Sequence, residues 1–150
     1  MSDAETPRPA PVLDQINIVG TDMAAMVAFY RRLGLDIAEF EPAWDRHHRG
    51  IATPEGLDAD LDSDSFAAVW NEGWPKGRGG VVIGFRVDSR EAVDAVYADL
   101  IGAGHRGQQP PYDAFFGARY AVVEDPAGNA VGIMSPRDDA RRTPSPPPPD

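Results

Sequence analysis

Residues 13–34 read LDQINIVGTDMAAMVAFYRRLG: a strand-like run, a polar break, and a helical run closed by glycine. Leu13 to Val19 reads as a strand, with Gln15 and Asn17 alternating with Ile16 and Ile18 at the period of two that marks a half-buried strand. Thr21 or Asp22 can cap the helix that follows, in which Met23, Met26, Val27, Tyr30 and Leu33 share one face before Gly34. The same order recurs further on. VVIGFRV (81–87) reads as a strand, Asp88 with Glu91 makes a capping-box pattern, and Val93, Val96, Tyr97, Leu100 and Ile101 form one helical face before Gly102 and Gly104. An offset of 67 lays Ile16 on Ile83, Ile18 on Phe85, Tyr30 on Tyr97 and Leu33 on Leu100.

Each helix is followed by strand-like segments: 35–41, 46–53 and 66–72 after the first, and 105–109, 118–124 and 130–135 after the second. The pattern is β-α-β-β-β, twice, an α+β chain with GWPKGRGG (73–80) as linker. The last element, VVEDPAGNAVGIMS (122–135), is a hairpin turning on Asp125-Pro126-Ala127-Gly128-Asn129. Gly132 stands inside its returning strand, where glycine weakens packing and marks a close approach or an emptied position.

The chain has 150 residues, enough for one domain or two small modules sharing a core, and 42% of them are hydrophobic. There are no cysteines, which excludes disulfides, thiol nucleophiles and thiolate metal sites. The N-terminus lacks a signal-peptide pattern and no run reaches the roughly 20 apolar residues of a membrane span, so a cytoplasmic protein is expected. A net charge of −10 argues against nucleic-acid and membrane partners and is compatible with a cationic ligand. Nine of the 15 prolines lie in residues 7–11 and 136–149, so residues 1–11 and 137–150 are expected to be disordered or extended arms around a domain at 12–136. Within it, module one spans about 12–72 and module two about 81–136.

LDQINIVGTDMAAMVAFYRRLGLDI and GARYAVVEDPAGNAVGIMSP together resemble the vicinal oxygen chelate superfamily, which includes glyoxalases, extradiol dioxygenases and bleomycin-resistance proteins. The resemblance implies two βαβββ modules whose curled mixed sheets form half-barrels around a cavity, helices on the outside, and a homodimer. In metal-using members it implies four ligands, two per module. Carried onto this chain they fall on Gln15, on Val82, on Gly132, and on a fourth position expected within 65–70, where SFAAVW offers no carboxylate or imidazole. One neutral glutamine cannot hold a hard divalent ion, so no metal and no cofactor are expected.

Strand parity still places a cavity between the modules. Val81, Ile83, Phe85 and Val87 are expected to pack on the helices, while Val82, Gly84 and Arg86 face inward. If Glu124 pairs with Ala130, Tyr120 and Val122 share the inner face with Gly132 and Met134, and Gln15 with Asn17 line it from the first strand. Trp44 and Trp70 add aromatic surface for a flat or cationic ligand. The candidate ligand-binding set is thus Gln15, Asn17, Trp44, Trp70, Val82, Gly84, Arg86, Tyr120, Gly132 and Met134, with no catalytic residue assigned.

Two other features invite a metal reading. His47 and His48 are adjacent on a strand, so at most one can face the cavity. DADLDSDS (58–65) resembles a calcium loop but lacks its glycine and closing glutamate; it reads as a solvated hairpin loop, able to present a negative rim to a cation. The expected function is metal-independent binding of an aromatic small molecule, cationic or neutral, of the bleomycin-resistance type. The alternative is a glyoxalase-like lyase, isomerase or dioxygenase with a non-standard or absent metal site, or acid–base chemistry by Arg86, Tyr120 or Glu124.

Overall fold

The computed structural model describes residues 8–54 and 56–150, so most of the arm expected over 1–11 lies outside the described residues. In chain order the elements are β1 (Val12–Gly20), α1 (Met23–Leu33), β2 (His48–Ile51), β3 (Asp58–Ser63), α2 (Asp64–Trp70), β4 (Gly80–Arg86), α3 (Arg90–Gly102), β5 (Gly107–Asp113), β6 (Arg119–Glu124) and β7 (Ala130–Met134). The strands form one mixed seven-stranded sheet in the order β2-β3-β1-β4-β7-β6-β5. It is the α+β, curled-sheet architecture expected from the repeat.

The two modules meet at the antiparallel pair β1/β4, where Ile16 faces Ile83. On either side the next strand runs parallel, β3 beside β1 and β7 beside β4. Residues matched by the offset of 67 are therefore related by a pseudo-twofold axis through the Ile16/Ile83 pair. The closing hairpin has the expected register, with Glu124 opposite Ala130 and Val122 opposite Gly132.

Helix α1 starts at Asp22, whose side chain accepts from the Ala25 amide at 3.0 Å, and ends at Gly34 with φ 114°. It packs Met23 and Val27 on Ala59 and Leu61 of β3. Helix α3 is capped by Ser89 rather than Asp88, with Glu91 in its first turn, and packs Ala92 and Val93 on Ala121, Val123 and Ile133. Between the two helices the outer face of β4 is left open: Val81 is 47% and Ile83 37% exposed. Only Val87 of the expected apolar face is buried against α3, because neither helix reaches the centre of the sheet.

Four segments differ from the sequence reading. The third strand of module one is 58–63, not 66–72; its alternation puts Ala59 and Leu61 under α1 and Asp58, Asp60 and Asp62 on the opposite face. Residues 64–70 form α2 instead, because the Ser63 hydroxyl caps the Phe66 amide at 3.0 Å and Phe66, Ala67 and Trp70 fall on one helical face. Strand β5 runs to Asp113 through Pro110 and Pro111, which an edge strand tolerates since one side of its backbone needs no partner. The stretch 35–41 contributes only an isolated bridge from Ile37 to Ile51.

Helix α2 lies on the face of the sheet opposite α1 and α3. Trp70 and Trp74 pack there with Val82, Tyr120 and Val122, filling the concave side of module two. The Trp74 indole, within the expected linker, donates to Asp64 at 2.7 Å, and Asn71, fully buried, donates to Gln108 Oε1 at 2.7 Å to tie the helix end to β5. Among the described residues no helix is long and apolar enough to cross a membrane.

Candidate functional site

With α2 filling the concave side of module two, the space left is over module one. A cavity of about 360 Å³ opens there, floored by β1 and β3 and reached by side chains from β2 and β6, strands separated by four others in the sheet. Only a curled sheet can bring His48 and Tyr120 to one cavity.

The floor is a row of three carboxylates. Asp58, Asp60 and Asp62 alternate along β3, so neighbours stand about 7 Å apart on one face. Gln15 lies beside Asp58 and Asn17 beside Asp60 in the parallel register. The Gln15 amide donates to Asp58 and Asp60, both at 3.3 Å, and Asn17 donates to Asp62 at 2.8 Å. His48 donates from Nδ1 to Asp62 Oδ1 at 2.6 Å, and Arg137 reaches Asp58 at 2.8 Å. Asp62 thus has a cationic partner in contact, as does Asp58. Among the described residues Asp60 has the glutamine amide as its one hydrogen-bond donor, with His48 Nε2 at 3.9 Å.

The titration behaviour follows. Burial, then the Asp62 and Asp58 charges, push the Asp60 carboxyl up to about 7. Burial opposes a charge on His48, but its hydrogen bond to Asp62 and the fields of the three aspartates outweigh that and hold it above the ordinary histidine value. Near neutral pH the floor carries negative charge that its own residues do not balance.

The walls are aromatic. Trp44 meets Phe66 edge-on with centroids 5.1 Å apart, and Phe66 meets His48 at 5.8 Å. Trp70 and Phe116 flank Tyr120 at 6.1 and 5.9 Å. Phe40 and Phe115 complete the mouth, where Arg137, Arg142 and Ser145 of the C-terminal segment also stand. Burial raises the Tyr120 hydroxyl far above its usual value, so it stays protonated. Carboxylates below and ring faces around suit a flat cation.

Of the residues singled out from sequence, Gln15, Asn17, Trp44, Trp70 and Tyr120 line this cavity. Val82, Gly84, Gly132 and Met134 are buried in the same concave face but below the packed aromatic side chains, and none lines the space. Arg86 is turned away, half exposed and paired with Asp14 at 2.8 Å. Glu124 is likewise outside the cavity, paired with Arg106 at 3.4 Å. Of the two histidines His48 faces the site, while His47 is buried against Ser63, its Nδ1 2.8 Å from the hydroxyl. The three aspartates and His48 are the residues the sequence reading did not place; the acid–apolar alternation of 58–63 was the signal.

The metal that the resemblance implies can be tested on this geometry. Asn17 faces Asp60 and its repeat partner Gly84 faces Gly132, so the module-one counterpart of Gly132 is Asp60, not a residue of 65–70. The four positions are then Gln15, Asp60, Val82 and Gly132, of which two carry donors. The vacated one is filled: a Cβ at Gly132 would lie 2.8 Å from the Tyr120 hydroxyl oxygen. Among the described residues no three histidine, aspartate or glutamate side chains are placed to hold a metal ion. The donor set does not fit the implied metal.

Similarity to solved structures agrees with the fold. A Legionella pneumophila NAD-dependent benzaldehyde dehydrogenase aligns at TM-score 0.57 and 22% identity, over 81% of this chain and 96% of that one. The Mn(II)-bound glyoxalase of Novosphingobium aromaticivorans aligns at 0.56 and 19%, over 82% of this chain and 38% of that one. Homoprotocatechuate 2,3-dioxygenase of Arthrobacter globiformis aligns at 0.61 and 21%, over 90% of this chain and 39% of that one. This chain therefore spans about two fifths of the length of the latter two. No curated protein matches the sequence. The sequence model of the glyoxalase, bleomycin resistance protein and dioxygenase superfamily matches residues 12–133, and with the paired modules around a concave site this chain belongs to that superfamily.

Proposed function

We propose that the chain binds a small, flat, cationic molecule in the module-one cavity, and that binding requires no metal. The observation that carries this reading is the row of Asp58, Asp60 and Asp62 beneath aromatic walls, with Asp60 hydrogen-bonded to the neutral Gln15 amide and the His48 ring no nearer than 3.9 Å. A buried carboxylate whose one hydrogen-bond donor is a neutral amide costs stability, and an arriving cation would offset that by adding a charge-assisted contact. The ring faces add attraction for the same charge. Sequestration needs only this complementarity, which is what the bleomycin-resistance members of the superfamily suggest by analogy. The reading includes a cytoplasmic homodimer, which sedimentation of the purified chain would check.

The test is a tryptophan-fluorescence titration, since Trp44 and Trp70 line the cavity. Benzylamine and its uncharged analogue benzyl alcohol are compared at pH 7.5 with EDTA throughout. Saturable binding of the amine alone, unaffected by the chelator, supports the reading. Equal binding of the alcohol, or an amine response that requires added divalent metal, refutes it.

A further inference from the structure

One side chain of this cavity, that of Arg137, already sits as a bound cation would. Arg137 donates to Asp58 Oδ2 at 2.8 Å and lies over the Phe116 ring, 5.9 Å from its centroid. Carboxylate below and ring face beside is the same chemistry that Asp60, hydrogen-bonded to the neutral Gln15 amide, offers to a ligand next to it. The backbone around Arg137 is fixed: the Asp138 amide donates to Gly117 at 3.0 Å, and Thr143 to Phe115 at 3.1 Å. Gly117, at φ 89°, lets the segment approach so closely that a Cβ there would collide with the Asp138 carbonyl. The side chain itself is held loosely, half exposed like its partner Asp58. It can swing away without the segment leaving.

We propose that Arg137 is a resident competitor at the outer of two cation subsites, Asp58 with Phe116, and that the natural ligand of the cavity is a dication that displaces it while its second charge sits at Asp60. This rests on the binding function proposed above and specifies its ligand class. The two carboxylates stand about 7 Å apart along β3, a span that an aromatic ring carrying an aminomethyl group at each end can bridge. A monocation would take the Asp60 subsite and leave Arg137 in place. With Arg137 and a protonated His48 the three aspartates retain one uncompensated charge; with Arg137 displaced they retain two.

The experiment compares p-xylylenediamine with benzylamine by tryptophan fluorescence at pH 7.5, on the full chain and on its Arg137→Ala, Arg137→Lys and Asp58→Asn variants. Removing the competitor should tighten the diamine about fivefold, the competition an exposed ion pair offers, and change benzylamine by less than twofold. Arg137→Lys should remain near the parent. Asp58→Asn, which removes the outer subsite itself, should bring the affinities of the two amines together. If Arg137→Ala tightens both amines equally, the arginine only obstructs the mouth and the two-subsite proposal fails. If it weakens the diamine or leaves it unchanged, Arg137 is a wall and not a competitor. If neither amine binds parent or variants, the cation-binding function fails and this inference with it.

Discussion

Replacing Asp60 by asparagine separates what this residue costs the fold from what it gives the site. Asparagine keeps the shape, and its side-chain oxygen can still accept from Gln15, but it cannot ionise. In the folded chain burial and the neighbouring aspartates raise the Asp60 carboxyl from 3.8 to about 7. Between those values the folded protein keeps a proton that the unfolded chain has released. Stability therefore falls as pH rises through this window, by up to about 4 kcal/mol in all, at about 1.4 kcal/mol per unit. His48, raised in pKa, contributes stability at low pH that is lost as pH rises through its folded value, so the parent declines for two reasons of the same sign. Subtracting parent from variant at each pH isolates Asp60 and its coupling to His48. Near pH 4.5, just above the unfolded value, the variant should lead by no more than about 1 kcal/mol; by pH 8 its lead should have grown to roughly 2–4 kcal/mol. Urea unfolding followed by the buried Trp70 and Trp74 measures this at pH 4.5, 6, 7 and 8. A difference that does not change with pH, or a variant less stable at pH 8, refutes the account of a buried carboxylate without a cationic contact. The same variant should bind benzylamine more weakly, a loss that a merely structural aspartate would not produce.

Three further outcomes follow from the geometry. Benzylamine affinity should rise up to about tenfold from pH 6 to pH 8 as Asp60 ionises, and a flat profile would place the cation elsewhere. Gly132→Ala should destabilise by about 1–3 kcal/mol because its methyl meets the Tyr120 hydroxyl; in Tyr120→Phe the cost should shrink, and a double-mutant cycle with no coupling would mean the hydroxyl does not fill that space. Leu61→Ala should lose about 2–5 kcal/mol in urea unfolding while the folded protein keeps its benzylamine affinity, since Leu61 packs beneath α1 on the face opposite the aspartates.

The parts of the fold legible in the sequence are those where two signals agree. β1–α1 and β4–α3 each join a period-two run to a capped helix, and the repeat reinforces both. The hairpin at Asp125–Asn129 has turn chemistry that leaves one register, since Asp125 accepts from the amides of Ala127 and Asn129. Residues 58–63 were misread because a run of aspartates is expected in water, although its alternation with Ala59 and Leu61 has strand periodicity. Its inner face is buried only because Gln15, Asn17 and His48, distant in sequence, supply donors there. Phe66 to Trp70 misled in the opposite sense: aromatic and branched residues suggest a strand, but Ser63 caps them into a helix. That one displacement also moved the expected ligand position away from Asp60.

The two modules share one pattern, and the site exists because they differ within it. The position of Asp60 in one is Gly132 in the other, and the difference propagates. A glycine lets the Tyr120 side chain lie across β7, where Trp70 of α2 packs against it, so the interior of module two is filled by side chains. In module one the same location carries a carboxylate that burial penalises, and α2 passes on without covering it. An apolar side chain at 60 would favour closing that space, as it is closed across the axis. Retaining a carboxylate at position 60 works against stability by the amount the Asp60→Asn comparison measures, and the arrival of a cation offsets it. The pH dependence of stability and the affinity for cations are therefore two readings of one charge, and they must shift together when that charge is removed.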